Sequence, residues 1–403
     1  MQSLSLRAVA FWLSILMIFM IPWEAALVVS SVGSISRLIG AAAGGFWLLT
    51  VVVAGRIRRP SGFHVAAAAF FLWCAVTQFW TIDPDLTLER SLAYLRMAAL
   101  TILIWDLYRT PAQINLGLQA YVLGTLVPIG STIFNYLSGV QSVWGRYSAT
   151  GDNANTTGIV IALGMPLAMG LAGHGSSPTG RRWILQLLNY GIVAVGLFAI
   201  GLTATRFAAI MTLPAFLLAL SAWPRIKPGS RMLLALVLVG ALLLIPRLLP
   251  EHSVQRLGNA VEDATEGDLT GRTVIWKYAL ETWFEHPIAG VGSGAFRRAV
   301  EPIFGREVAA HNSFLAVLAE TGLVGLLLLG LVLSVSLSQA AGRSRLEARF
   351  WLTILIVLGL GNLAMTFIYV KSTWLLLSLN AAGASVPDPS AVRSQPAGEP
   401  AAA

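Results

Sequence analysis

Cysteine and charged residues are scarce in this sequence. Its 403 residues include one cysteine, Cys74, and only 11% of them are charged, against about 25% in an average soluble domain. A single cysteine excludes an intramolecular disulfide and argues against a thiolate metal site. Because 56% of the residues are hydrophobic, so little charge also excludes an ordinary soluble domain. The composition indicates a polytopic membrane protein.

Long apolar runs recur along the chain, and each ends in a short polar or basic segment. About 20 apolar residues are enough for a helix to cross the roughly 30 Å hydrocarbon core of a bilayer. We therefore predict an all-α membrane protein with about twelve transmembrane helices. The predicted spans are residues 8–21, 38–54, 63–80, 88–107, 113–137, 157–173, 184–202, 207–223, 232–248, 312–340, 350–369 and 373–385.

The positions of the basic residues predict the orientation in the membrane. The formal net charge is +8, but Lys and Arg are spread over the short connections, which argues against a nucleic-acid binder. If the N-terminus is cytoplasmic, the basic connections are cytoplasmic as the positive-inside rule requires. Twelve spans then place the C-terminus in the cytoplasm too. The basic connections contain Arg56, Arg58, Arg59, Arg109, Arg181, Arg182, Arg225, Lys227, Arg231, Arg343, Arg345 and Arg349.

One connection is much longer than the others, and it divides the chain. We predict helices one to nine in residues 1–248, a loop domain outside the cytoplasm in 249–311, and helices ten to twelve in 312–385. Residues 386–403 are rich in Ala, Pro, Gly and Ser, which predicts a disordered cytoplasmic tail. Loops as long as the middle segment usually carry function.

The long loop contains "TGRTVIWKYALETWFEHP", which predicts an amphipathic helix. Trp276, Leu280, Trp283 and Phe284 would form its apolar stripe, and Pro287 would end it. Tryptophan on that stripe suits a helix lying at the membrane surface. The following "IAGVGSGAF" lacks the Gly-Lys-Ser/Thr ending of a nucleotide-binding loop. We therefore interpret it as a tight turn.

Three arginines lie on the non-cytoplasmic side, against the general rule. Arg146 is in "VWGRYSATG" and Arg206 is in the short turn "GLTATRFAAI", where a cation is costly unless it is paired or hydrated. Snorkelling of Arg206 to the headgroups fits the turn equally well. Arg272 would follow an N-cap at Thr270, and a helix N-terminus favours an anion such as a diphosphate. Pairing of Arg272 with an acidic residue of the loop is the other interpretation.

His311 opens the tenth span in "AAHNSFLAVLAETGLVG". A helix N-terminus disfavours the imidazolium form, so this histidine can stay neutral and accept a proton as a general base. A structural role as helix cap is the alternative. Glu320, further along this span, would pair with an arginine. Lys371 would place another cation on the same side of the membrane, and an ordinary interfacial anchor is the alternative interpretation of this lysine. No spacing of His and carboxylates predicts a metal site.

Several of these motifs together resemble the O-antigen ligase family, with the related O-antigen polymerases and pilin oligosaccharide transferases. The resemblance rests on "GRTVIWKYALETWFEHPIAGVGSGAF" followed by "AHNSFLAVLAETGLVG", on "RYSATGDNANTTG", and on the arginine of "TATRF". It covers most of residues 140–330, and the twelve-span layout with one large periplasmic loop agrees with it. The resemblance implies a fold like that of other polyprenyl-linked glycosyltransferases, known as the GT-C type.

What the resemblance implies about activity is specific. Members transfer a glycan from undecaprenyl diphosphate to an acceptor at the periplasmic face of the bacterial inner membrane, and for ligases the acceptor is the lipid A-core oligosaccharide. The family's functional residues fall on Arg206, Arg272 and His311. Arg146, Asn312 and Lys371 would help to bind the diphosphate. Neither a metal ion nor another cofactor is implied, and in-line attack would invert the anomeric centre.

Two other functions remain open at this stage. A polymerase would use the same donor but join one lipid-linked glycan to another, and the sequence separates it poorly from a ligase. A transporter would show two matched halves with interrupted helices. The sequence shows no such internal symmetry.

Overall fold

The computed structural model of the chain describes residues 5–29, 33–173, 182–222, 228–258 and 271–386. These residues are mainly helical, with one short antiparallel pair of strands, Val28–Val29 (β1) and Gly33–Ser34 (β2). The helices are α1 (Leu6–Met20), α2 (Ile35–Ala54), α3 (Gly62–Val76), α4 (Pro84–Leu107), α5 (Pro111–Gly124), α6 (Leu126–Leu137), α7 (Ala154–Gly173), α8 (Arg182–Thr203), α9 (Arg206–Ala222), α10 (Pro228–Leu248), α11 (Glu251–Gly258), α12 (Arg272–Glu285), α13 (Phe296–Phe304), α14 (Ser313–Ala341), α15 (Arg345–Ala364) and α16 (Lys371–Ala384).

The all-α polytopic class is confirmed. Among the described residues, eight helices are long and apolar enough to cross a membrane. Each of the twelve predicted spans overlaps a helix. The arrangement is compatible with twelve spans, and that number stays a prediction. The fifth span consists of α5 and α6, which meet at Thr125. Pro128 has no backbone N–H to continue the α5 hydrogen bonds, which explains the break.

The predicted end of the eleventh span at residue 369 is wrong. Helix α15 ends at Ala364, and Met365 already has extended backbone angles. The hydroxyl of Ser313 accepts hydrogen bonds from the backbone N–H groups of Phe367 (2.8 Å) and Ile368 (3.1 Å). These bonds satisfy backbone groups that a longer helix would have paired, so residues 365–370 run outside helix up to the start of α16.

Two of the predicted cytoplasmic arginines, Arg58 and Arg109, meet Arg7 at one end of the helix bundle. Arg7 and Arg109 both form ion pairs with the buried Asp106, and the backbone N–H of Arg58 donates to the same carboxylate at 3.1 Å. The Arg58 guanidinium also lies over the Trp105 ring. We call this the basic end; the loop helices α11, α12 and α13 connect to helix termini at the opposite end.

The loop helix α12 packs differently from its predicted stripe. Its buried residues are Ile275 and Ala279, which join Phe296, Val300 and Ala310 in a small apolar core separate from the main core. The aromatic side of the helix stays accessible: Leu280 is 38% exposed and Phe284 is 69% exposed. The stripe is therefore available to an external surface, while a narrower face attaches the helix to α14.

The predicted N-cap of α12 is also wrong. The capping position is held by Gly271, with a positive φ of 76° and no side-chain hydrogen bond. Thr270 lies outside the described residues, as does most of the predicted tail, 387–403. Because Gly271 has no side chain to bond the first N–H groups of α12, the positive potential of this helix end is not reduced by a capping oxygen.

Candidate active site

A pocket lined by arginines lies where the loop helices meet the first residues of α7 and α9. It has a volume of about 510 Å³, including the space that is open to solvent. Its charged lining residues within the described ranges are Arg206, Arg256 and Arg272; the acidic loop residues that could pair with Arg272 lie in 259–270, outside those ranges. Asn155 and Trp276 contribute polar and aromatic surface. Three guanidinium groups around one pocket make it suited to an anion with several oxygens.

Arg272 occupies the position that the sequence predicts, in the first turn of the loop helix. Its Nη1 donates to the backbone carbonyl of Ala364 at 2.9 Å, which attaches the start of α12 to the end of α15. Burial, and next the charge of Arg256, lower the pKa of Arg272 from its ordinary value. Burial and the neighbouring cation make the positive charge of Arg272 energetically costly, and an anion in the pocket would reduce this cost.

Arg206 is the first residue of α9, immediately after the turn that ends α8. Ala204 in this turn has a positive φ of 46°, so the chain reverses within a few residues. The Nε of Arg206 donates to the backbone carbonyl of Arg256 at 2.9 Å. This contact joins the membrane helix to α11 and brings Arg206 and Arg256 to the same pocket. Arg256 was not among the residues predicted from the sequence.

Arg146 lies behind the pocket rather than on its surface. It is only 6% exposed. Its Nε donates to the carbonyl of Thr203 at 2.7 Å, and one Nη donates to Asn155 and Thr205 at 2.7 and 2.9 Å. Burial first, and then the charges of Arg256 and Arg272, lower the pKa of Arg146 to about 10. Arg146 thus holds the turn before Arg206 and the pocket residue Asn155 in place.

Asn312, not His311, caps the tenth span. The Asn312 Oδ1 accepts hydrogen bonds from the backbone N–H groups of Phe314 (2.9 Å) and Leu315 (3.1 Å). This geometry is that of an N-cap residue. The structural alternative considered for His311 is therefore already fulfilled by its neighbour, and the imidazole needs another explanation.

His311 is held in a strained and partly buried position. Its φ is +50°, a region that non-glycine residues rarely adopt and that clusters at functional sites. Its Nδ1 is buried and has no hydrogen-bond partner among the described residues. Burial, followed by the charge of Arg272, lowers the pKa of His311 below its ordinary value of 6.5. The imidazole is therefore neutral at pH 7, and its Nδ1 has no partner within the described residues.

The loop helix connects Arg272 to His311. One turn after Arg272, the Trp276 indole donates to the carbonyl of Ala310 at 3.0 Å. Ala310 is buried in the small core under α12. A single helix thus positions the cation, a wall of the pocket and the residue that precedes the histidine. Displacement of this helix would therefore change the positions of Arg272, Trp276 and Ala310 together.

The glycine-rich turn supports α14 from the other side, as the tight turn predicted from the sequence. The N–H groups of Val291 and Gly292 donate to the carbonyls of Ala319 (3.1 Å) and Glu320 (2.9 Å). At Gly290, with φ +67°, an added Cβ would lie 2.4 Å from the backbone of Glu320, so only glycine fits. The buried side chain of Glu320 interacts with the charges of Arg90 and Arg297.

Lys371 lies apart from the arginine pocket. Its ammonium donates to the Glu24 carboxylate and, at 2.7 Å, to the Ser36 hydroxyl. It lines a different cavity, between α2 and α4. Of the predicted site residues, Arg206 and Arg272 line the pocket. Arg146 lies behind it, and His311 is close enough to Arg272 for that charge to act on its imidazole. The structure does not place Lys371 among the residues that line this pocket.

The fold and this site define a class: an all-helical polytopic membrane protein whose loop helix places a neutral histidine beside a cationic pocket. Residues 191–330 match the model of the O-antigen ligase family, and this range contains Arg206, Arg256, Arg272 and His311. The matched segment is the one that holds most of the motifs noted in the sequence, and the resemblance to this family is confirmed.

A curated relative agrees with this family. The chain is 26% identical, over 307 residues, to the exopolysaccharide production protein ExoQ of Rhizobium meliloti (strain 1021). The similarity covers 72% of this chain and 68% of the relative. It therefore extends beyond the matched domain, which supports a function of the O-antigen ligase and polymerase type.

Proposed function

We propose that this protein is a glycosyltransferase that moves a glycan from undecaprenyl diphosphate to a hydroxyl group of an acceptor. The observation that carries the proposal is a neutral histidine whose Nδ1 has no partner among the described residues, connected through one helix to a pocket of three arginines. A base and an anion site are the two groups that this substitution needs.

In the proposed reaction the acceptor oxygen attacks the anomeric carbon of the donor. The new C–O bond forms as the bond from that carbon to the diphosphate oxygen breaks, and the diphosphate keeps the electron pair. His311 takes the proton of the acceptor hydroxyl, while Arg206, Arg256 and Arg272 stabilise the charge on the departing diphosphate. Attack from the opposite side inverts the anomeric centre. Arg146 keeps the turn carrying Arg206 in place.

The acceptor we propose first is the lipid A-core oligosaccharide, which makes the protein an O-antigen ligase of the bacterial inner membrane. The site would then face the periplasm, with both termini in the cytoplasm. The collection of predicted cytoplasmic arginines around Asp106 at the basic end supports this orientation. Cysteine accessibility at His286, in the exposed loop, and at Arg109, at the basic end, tests it: only the first should react with an impermeant maleimide added to intact spheroplasts.

A second candidate acceptor is another lipid-linked glycan, which would make the protein a polymerase. The similarity to an exopolysaccharide production protein favours this candidate. Lipopolysaccharide from a deletion strain distinguishes the two. Loss of all O-antigen with accumulation of lipid-linked polymer supports the ligase, whereas a core that carries a single repeat supports the polymerase. Unchanged lipopolysaccharide and exopolysaccharide would contradict both.

A further inference from the structure

A groove on the membrane-facing side of the bundle has the chemistry of a second lipid site. It lies between α2 and α4, holds about 1000 Å³ including its open mouth, and is lined by Arg37, Arg96 and Lys371 together with mainly apolar residues. None of the described residues that line it is acidic. Cations at a lipid-facing surface are costly unless an anion or water compensates them.

The charged residues and the apolar residues are at opposite ends of the groove. Along α2 the lining begins with Ser36 and Arg37 and continues to Trp47 and Leu48. Arg37 and Leu48 are roughly 16 Å apart at the rise of an α-helix. Along α4, Arg96 likewise precedes the apolar residues, and Trp47 bonds to Asp106 at the basic end. An amphiphile fits if its anionic head faces away from the basic end.

The two guanidinium groups are available for such a head. Neither Arg37 nor Arg96 donates a hydrogen bond to a residue in the described ranges, whereas Lys371 bonds to Glu24. Arg37 is close enough to Arg96 for their charges to interact, and Glu24 and Glu89 act on Arg96 from outside the groove lining. Two adjacent arginines match a diphosphate better than a single phosphodiester.

The floor of the groove leaves room for a hydrocarbon chain. Nothing lies within 4 Å of a Cβ built on Gly44 or Gly45, so these helix positions are open towards the groove. The walls next to them are Ala41, Leu48 and Leu100. The apolar lining forms one strip below the cations, and a strip of this kind suits a single isoprenoid chain.

The groove is also within reach of the arginine pocket. Arg272 binds the carbonyl of Ala364, and Lys371 follows the same connection seven residues later. Seven residues span at most about 25 Å. The separation between Lys371 and the residue that Arg272 contacts is therefore limited, so a glycan whose lipid anchor occupies the groove can extend towards the arginine pocket.

We propose that this groove binds the diphosphate and the first isoprene units of a second polyprenyl diphosphate, that of a lipid-linked acceptor glycan. The inference rests on the proposed donor chemistry. It favours the second acceptor considered above, the lipid-linked glycan, over the lipid A-core that was proposed first. Transfer to lipid A-core needs one polyprenyl diphosphate site, whereas joining two lipid-linked glycans needs two. The donor site at Arg206 and Arg272 and the acceptor site at Arg37 and Arg96 then bind the same lipid class.

Native mass spectrometry of the purified full chain, titrated with geranylgeranyl diphosphate, tests the proposal. We expect two bound copies. Arg37→Gln/Arg96→Gln should weaken one copy by about tenfold or more, the scale of a lost hydrogen bond to a charged group. Arg56→Gln/Arg59→Gln, which removes two exposed arginines elsewhere, is the matched control and should keep both copies.

A second variant tests the chain site without changing charge. Gly44→Leu places a side chain in the open groove and should weaken the same copy, while a normal melting temperature shows that the protein remains folded. A single copy in the wild type, or two copies that survive in both groove variants, would overturn the inference. Equal displacement of the groove copy by phosphatidylglycerol or cardiolipin would also overturn it, since the groove would then be an ordinary phospholipid site.

The same titration separates failure of this inference from failure of the proposed function. Arg206→Gln/Arg272→Gln should remove the other copy and leave the groove copy in place. If that variant loses neither copy, the donor site is wrong and the groove still binds its lipid. If it loses its copy while the groove variants lose none, the donor site stands and the groove inference is wrong.

Discussion

Replacement of His311 separates proton transfer from a structural role most sharply. Removal of a general base typically costs about 10²-fold or more in rate, which corresponds to about 2.7 kcal/mol of barrier. The N-terminus of α14 should be unaffected, because Asn312 supplies the cap. Asparagine also accepts a positive φ more readily than most residues. We therefore expect His311→Asn to remain as stable as the wild type while losing about 10²-fold or more in turnover.

The assay for this prediction combines three measurements on the same purified samples: single-turnover glycan transfer, binding of the lipid-linked donor, and melting temperature. His286→Asn is the matched control, since His286 is an exposed histidine of the same loop. Donor binding should stay within a few-fold in His311→Asn, because the arginines are unchanged. Near-normal turnover in His311→Asn would refute the base assignment and leave the arginines as the principal catalytic groups.

The pH dependence gives an independent check on the same residue. Burial and the charge of Arg272 lower the pKa of His311 below 6.5, so the neutral form persists at pH values where an ordinary histidine is half protonated. As the pH falls, the decline in the rate of a base-catalysed step should therefore have its midpoint below pH 6.5. A decline centred above 6.5 would contradict this environment for the imidazole.

Three further predictions concern the anion site and the helix that carries the histidine. Arg272→Lys should impair transfer by about tenfold or more while protein levels in the membrane stay normal, because an ammonium cannot reproduce two parallel guanidinium bonds; wild-type transfer would count against diphosphate recognition. The purified enzyme should work in EDTA, and activity that disappears with chelator and returns with Mg²⁺ would contradict stabilisation of the leaving group by arginine alone. Asn312→Ala should lower the free energy of unfolding by about 1 kcal/mol through loss of the cap, and an unchanged melting temperature would refute that role.

The membrane helices were largely predictable because hydropathy reports directly on the cost of placing polar groups in hydrocarbon. Local departures from the predicted helices were not predictable in this way. The helix end at Ala364 depends on the hydroxyl of Ser313, about 50 residues earlier in the chain, and no local pattern encodes that contact. The packed face of α12 depends on two aliphatic residues, Ile275 and Ala279, whereas the sequence pattern indicated the larger aromatic side chains.

The candidate site was predictable where a residue type conflicts with its surroundings. Arg206 and Arg272 stand out as cations on the side that the positive-inside rule leaves poor in them, and His311 stands out next to a better capping residue. Arg256 gave no such signal, since it lies in an acid-rich loop and reaches the pocket only through the fold. For Lys371 the sequence gives the side of the membrane but not the neighbour, and its partner Glu24 lies at the other end of the chain.

Reconstituted transfer tests the central claim most directly. Purified protein would be mixed with a polyprenyl diphosphate-linked glycan and acceptor lipid, and the release of free polyprenyl diphosphate would be measured beside the extended acceptor. We predict equal amounts of both products in the wild type, and loss of both in Arg206→Gln/Arg272→Gln and in His311→Asn. Transfer by the wild type that is unaffected in these variants, or no release of polyprenyl diphosphate from a stable and donor-bound protein, would contradict the proposed site.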